Sequence, residues 1–135
     1  MQRIQSVYLF LSSLAGILFL FLPLGKINES EVFTDVKGID DVIFIILSCV
    51  ISIIALGSIF LFRNRKLQMK VILFNILCSL ALVGYTVYVF LGFQESEFKF
   101  GPALILPVFI LIFNVLAYIG VKSDEQLIES MNRLR

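Results

Sequence analysis

Asn75, Ser79 and Thr86 sit inside an otherwise apolar stretch, as do Pro107, Asn114 and Tyr118 further along the chain. Intervals of four and seven place each trio on one face of a helix. Amides and hydroxyls in such surroundings need partners, so they bond across helices or line a polar path. Counted from the basic segment Arg63–Lys70, Asn75 and Asn114 fall at comparable depth. The spacing therefore predicts that they face each other between two helices, each such bond contributing about 0.6 to 2 kcal/mol. Polar helix–helix contact is the expected role of Asn75, Ser79, Thr86, Asn114 and Tyr118. Small residues repeat at intervals of four as well, Ser12 with Gly16 and Ser48 with Ser52, a spacing that lets helices approach closely.

Most other chemistry is missing. Histidine is absent, which removes the commonest general base and metal ligand together. The two cysteines, Cys49 and Cys78, are not in C-x-x-C spacing, as quinone-coupled thiol oxidoreductases would require. They lie at different depths and are expected to be small apolar fillers. No G-x-S-x-G, H-E-x-x-H or phosphate-binding loop occurs. Serines inside the apolar runs have no His or Lys beside them to act as base. Carboxylates cluster at Glu29, Glu31, Asp35, Asp40 and Asp41, but in no recognised calcium-loop spacing. No catalytic residue, metal or cofactor is expected, and no basic, aromatic-rich surface suggests nucleic acid.

The elements that would position these residues follow from composition. Of 135 residues, 59% are hydrophobic and 16% charged, against roughly 45–50% and about 25% in soluble domains. Four apolar runs free of Lys, Arg, Asp and Glu cover 7–24, 42–62, 71–93 and 101–121. At about 1.5 Å per residue they reach roughly 27 to 35 Å, enough for a hydrocarbon layer of about 30 Å. The expected fold class is all-α: a four-helix transmembrane bundle over 1–121 with a short cytoplasmic amphipathic helix over 122–135. Asp40 or Asp41 is placed to cap the second helix. Gly101-Pro102 suits the start of the fourth, and Pro107 would bend it. The first run exceeds the usual apolar core of a cleaved signal and precedes no A-x-A site, so it is expected to stay as a helix. Ser123-Asp124-Glu125-Gln126 reads as a capping box opening a separate tail helix, on which Leu127, Met131 and Leu134 share a face.

Lysine and arginine set the orientation. Arg3, Arg63, Arg65, Lys66, Lys70, Lys122, Arg133 and Arg135 would share one side of the membrane, against Lys26, Lys37 and Lys99 on the other. Eight against three predicts cytoplasmic N- and C-termini. Arg3, Arg63, Arg65, Lys66 and Lys70 then form the cytoplasmic interface, with Arg3 in reach of lipid phosphate or of Asp124 and Glu125.

Both ends carry a recognisable pattern. Met1-Gln2-Arg3-Ile4-Gln5-Ser6-Val7-Tyr8-Leu9 resembles the M-I-Q-R-I-Q-x-V-Y-L start of a family of small four-helix inner-membrane proteins of Gram-negative bacteria, described as a domain of unknown function. Lys122 to Leu127, followed by Arg133-Leu134-Arg135, is similar to that family's K-D-E-x-L…D-R-L-R ending. The initial isoleucine is missing, and Asn132 stands in place of aspartate. The resemblance implies an inner-membrane location and four helices, and it carries over no catalytic residue. Residue chemistry favours a non-enzymatic accessory or scaffold subunit whose partners are membrane lipids and other membrane subunits or a second copy. The alternative is a small transporter or channel component using the Asn75/Asn114 face.

Overall fold

Helices surrounded by an apolar solvent need no polar side, and runs as uniform as these leave the chain little choice but to satisfy its backbone within each helix. The computed structural model describes residues 2–29, 32–92 and 98–133. Four long helices dominate it: α1 (Gln2–Phe21), α2 (Val42–Phe60), α3 (Arg65–Leu91) and α4 (Leu106–Arg133). All four are long and apolar enough to cross a membrane. Their outward faces remain apolar, with Phe60 79% and Leu91 77% exposed. Such a girdle is far larger than the apolar patches of soluble monomers.

The helices form a square in which α1 packs on α2 and α4, and α3 packs on the same two. Each terminus has a local cause. α1 stops at Phe21, two residues before Pro23, because a proline biases its predecessor toward extended backbone. α2 begins at Val42, and the Asp41 side chain accepts from the Ile43 N–H at 2.8 Å, one of the orphan donors of a helix start. Asp40 instead accepts from the Lys37 N–H at 3.0 Å. A 3-10 turn, Leu61–Arg63, links α2 to α3.

Three expectations are corrected. Pro107 does not bend a helix: Pro102–Ile105 forms a 3-10 turn, and Pro107 is the second residue of α4, where no intrahelical acceptor awaits its missing N–H. No separate tail helix starts at Ser123. α4 runs unbroken from Leu106 to Arg133, because nothing in Gly120-Val121-Lys122 interrupts the ladder, so the N–H groups that Ser123 would cap already have partners. Leu134 and Arg135 lie outside the described residues.

The third correction concerns the all-α expectation, which left no strands between the first two helices. That segment forms a hairpin, β1 (Pro23–Glu29) and β2 (Val32–Lys37), joined by β3 (Phe98–Phe100) into an antiparallel sheet of order β2-β1-β3. Lys26 lies opposite Asp35 on β2 and Lys99 on β3, and its Nζ is 3.4 Å from the Asp35 carboxylate. The sheet closes the end of the bundle remote from the chain termini. Gly38, just after β2, lies against α1 so closely that a Cβ would be 2.9 Å from the Phe19 carbonyl. Gly101 donates to the Leu24 carbonyl at 2.8 Å. A Cβ there would fall 2.3 Å from the Pro23 carbonyl oxygen, so only glycine fits between β1 and the start of α4.

Candidate functional site: a polar layer and two end cavities

Two apolar clusters fill the bundle. One, toward the sheet, contains Ala15, Phe19, Phe44, Ile51, Leu82 and Ile110 among others. The other, toward the basic turn, contains Leu9, Ile72, Ala117 and Val121. Between them runs a polar layer. On α3, Asn75 and Ser79 lie between Ile72 and Leu82, on α4 Asn114 lies between Ile110 and Ala117, and on α1 Ser12 lies between Leu9 and Ala15.

Asn75 and Asn114 meet, both fully buried: Asn75 Nδ2 donates to Asn114 Oδ1 at 3.1 Å. Asn114 Nδ2 donates to Ser79 Oγ at 2.8 Å, and Ser79 Oγ donates to the Asn75 carbonyl at 2.8 Å. The chain of bonds therefore ties α3 to α4 twice. Thr86 does not join it; its hydroxyl donates to the Leu82 carbonyl of its own helix at 2.7 Å. Tyr118 is only half-buried and lines a cavity nearer the basic turn. On the neighbouring face, Ser52 Oγ donates to the Ser13 carbonyl at 3.2 Å across α1 and α2. Gly16 allows this approach, since a Cβ there would lie 2.5 Å from Ser52 Oγ. Three buried oxygens, Ser12 Oγ, Ser48 Oγ and Asn75 Oδ1, have no hydrogen-bond partner among the described residues.

A cavity of about 180 Å³ opens beneath the sheet, walled by Leu24, Phe44, Val89 and Leu104 and rimmed by Lys37 and Asp40. Below it, Phe19, Phe44 and Tyr85 stack edge to face with centroids 5.2 and 4.9 Å apart. Tyr85 donates to Asp41 Oδ2 at 2.8 Å, so one carboxylate caps α2 and anchors α3 together.

A second cavity, about 400 Å³, lies at the basic end and is lined by Lys66, Met69, Lys70, Leu73, Tyr118 and Glu125. Of the other basic residues here, Arg63 falls in the 3-10 turn and Arg65 opens α3. Arg3 is in α1, and its side chain lies outside the described residues, as does any contact with Asp124 or Glu125. Asp124 accepts from Gln5 Nε2 instead. Gln5 packs on Gly120, where a Cβ would be 2.8 Å from its Cγ.

Sequence reasoning missed Gln5, Gln68 and Tyr85. Gln68 is buried and donates to the Ser58 carbonyl at 3.0 Å, a second bond to an oxygen in the last turn of α2 that also accepts from the Leu61 N–H. Among charged neighbours a glutamine reads as solvated. Tyr85 left a usable signal, being as far from the sheet end of α3 as its hydroxyl needs to reach the Asp41 cap.

Neither a curated protein nor a solved structure matches the chain. A family does, over residues 1–134, and four apolar helices around a polar layer are thus the architecture of a chain that belongs to the family described as "Domain of unknown function (DUF4293)".

Proposed function

We propose that this chain is a non-enzymatic subunit of a cell inner membrane, built to hold other membrane components by contact, with both termini in the cytoplasm. The observation that carries the reading is how the polar groups of the spans are spent. Asn75, Ser79, Asn114, Ser52 and Thr86 bond to one another or to helix backbone. Among the described residues none of them bonds to an ionisable group, and the four apolar runs carry no Lys, Arg, Asp, Glu or His. One surface suited to contact is the sheet end, where among the described residues β2 is an edge strand with a partner on one side only. Edge strands accept an added strand from another chain. The bias of lysine and arginine supports the orientation.

A photo-reactive residue placed at Asp35 or Val36 of β2 tests the contact in intact membranes, with the lipid-facing Ile53 as control. A discrete crosslinked species from the strand and none from Ile53 supports the subunit reading. Crosslinks from neither position, with a monomer in mild detergent, would sink it. Reporter fusions at the two termini and within Lys26–Asp41 test the orientation.

Ser12 Oγ, Ser48 Oγ and Asn75 Oδ1 favour a second reading, a transporter or channel component whose core takes up polar species. Cysteines substituted at Ser79, Thr86 and Asn114 and probed with water-soluble thiol reagents separate the two. Labelling along the series fits a pathway; protection throughout fits packing.

A further inference from the structure

We propose that the cavity between the basic ends of α3 and α4 binds an anionic glycerophospholipid. Lys66 and Lys70 hold the phosphate there, and Met69 with Leu73 carries the start of an acyl chain. The two lysines stand four residues apart on α3, so they project from one face, and both line the same cavity. Both are exposed, and no ion pair neutralises either one among the described residues. The positive end of the α3 dipole lies beside Lys66 and adds to the field there, and the Asn64 side chain makes no capping bond at that terminus. Tyr118 lines the cavity from α4, with the apolar ring and polar tip that suit a headgroup boundary.

Depth and charge identify the occupant. α3 has 27 residues, about 40 Å at 1.5 Å each, against a hydrocarbon layer of about 30 Å. The charge-free run begins at residue 71, so the roughly 10 Å excess falls mostly at this end, where the first six residues of α3, both lysines included, stand among headgroups. Leu73, one turn deeper, is an apolar wall continuous with the lipid-facing surface of the helix. A soluble phosphate would gain nothing from Met69 and Leu73, whereas a lipid uses both halves of the cavity. Glu125 on the rim leaves two positive charges against one negative. This favours a singly charged phosphodiester with a hydroxylated headgroup, such as phosphatidylglycerol, over a zwitterion that would need Glu125 to hold its ammonium.

The proposal rests on the membrane reading above, and its test keeps the two apart. The full chain, purified in a neutral detergent, is titrated with phosphatidylglycerol and with phosphatidylcholine of the same acyl chains, and bound lipid is counted by native mass spectrometry. Phosphatidylglycerol should be retained selectively. Lys66→Gln and Lys70→Gln should each weaken it about fivefold, and the double variant by roughly the product. Glu125→Gln should strengthen it, and Lys37→Gln, at the sheet end, should leave it unchanged. Equal retention of the two lipids, or unchanged binding by the double lysine variant, overturns the assignment. Weaker binding by Glu125→Gln overturns it in favour of an ethanolamine headgroup. Displacement of the lipid by millimolar inorganic phosphate, with no effect of Leu73→Ser, overturns it in favour of a bare phosphate site. Failure of the membrane reading has a different signature: a chain that stays monodisperse without detergent.

Discussion

Replacing Asn114 with leucine removes the residue through which α3 and α4 are joined twice. The side chain is fully buried, accepts from Asn75 and donates to Ser79. Interhelical hydrogen bonds in membrane proteins contribute about 0.6 kcal/mol on average and up to about 1.7. Asn114→Leu therefore loses two, and should destabilise the bundle by roughly 1 to 3.5 kcal/mol. Asn75→Leu breaks only the 3.1 Å bond and should cost about 0.6 to 1.7 kcal/mol. The double variant loses nothing beyond what Asn114→Leu has already lost. The coupling energy of the cycle should then equal the single shared bond, about 0.6 to 1.7 kcal/mol. Reversible unfolding in mixed micelles, read by steric trapping or by circular dichroism, measures all four corners. Additive effects, with coupling near zero, would show that the two asparagines are neighbours without being partners and would refute the reasoning.

Gly16→Ala should destabilise by about 1 to 3 kcal/mol, because the new methyl meets Ser52 Oγ at 2.5 Å; pairing it with Ser52→Ala should recover part of the loss in the same unfolding assay. Gly101→Ala meets backbone atoms of Pro23, Leu24 and Gly25 rather than a mobile side chain, so the thermal midpoint should fall sharply. Gly84→Ala has open space and should be neutral or stabilising by up to about 1 kcal/mol. Tyr85→Phe removes the donor to Asp41 and should cost roughly 1 to 2 kcal/mol; amide exchange at the first turn of α2 should rise with it. Gln5→Leu frees Asp124, so proteolysis within 122–133 should accelerate while the spans remain protected.

The four helices were legible because each run is apolar on every side and long enough to cross a membrane, so length and composition alone marked them. The Asn75–Asn114 meeting followed from two counts, the helical period and the depth from the basic turn, since straight antiparallel helices keep both in step. The sheet was hidden for the opposite reason. β1 contains Pro23 and Gly25, which argue against a strand, and β3 is three residues long, so its pairing with β1 depends on the bundle bringing distant segments together. The unbroken α4 was illegible because Ser123 to Gln126 is equally acceptable at a helix start and within one; only the state of the preceding turn decides. The cavity at the basic end was half legible. Its lysines were placed at the interface, while its walls come from two helices and show no common spacing.

The continuity of α4 has a mechanical consequence. Its 28 residues form a rod of about 42 Å with Asn114 near one third of its length and Ser130 near its far tip. A rod without a joint cannot swivel at one end alone. A tilt where Asn114 grips α3 therefore displaces the tip, and a load on the tip is felt at the buried asparagines.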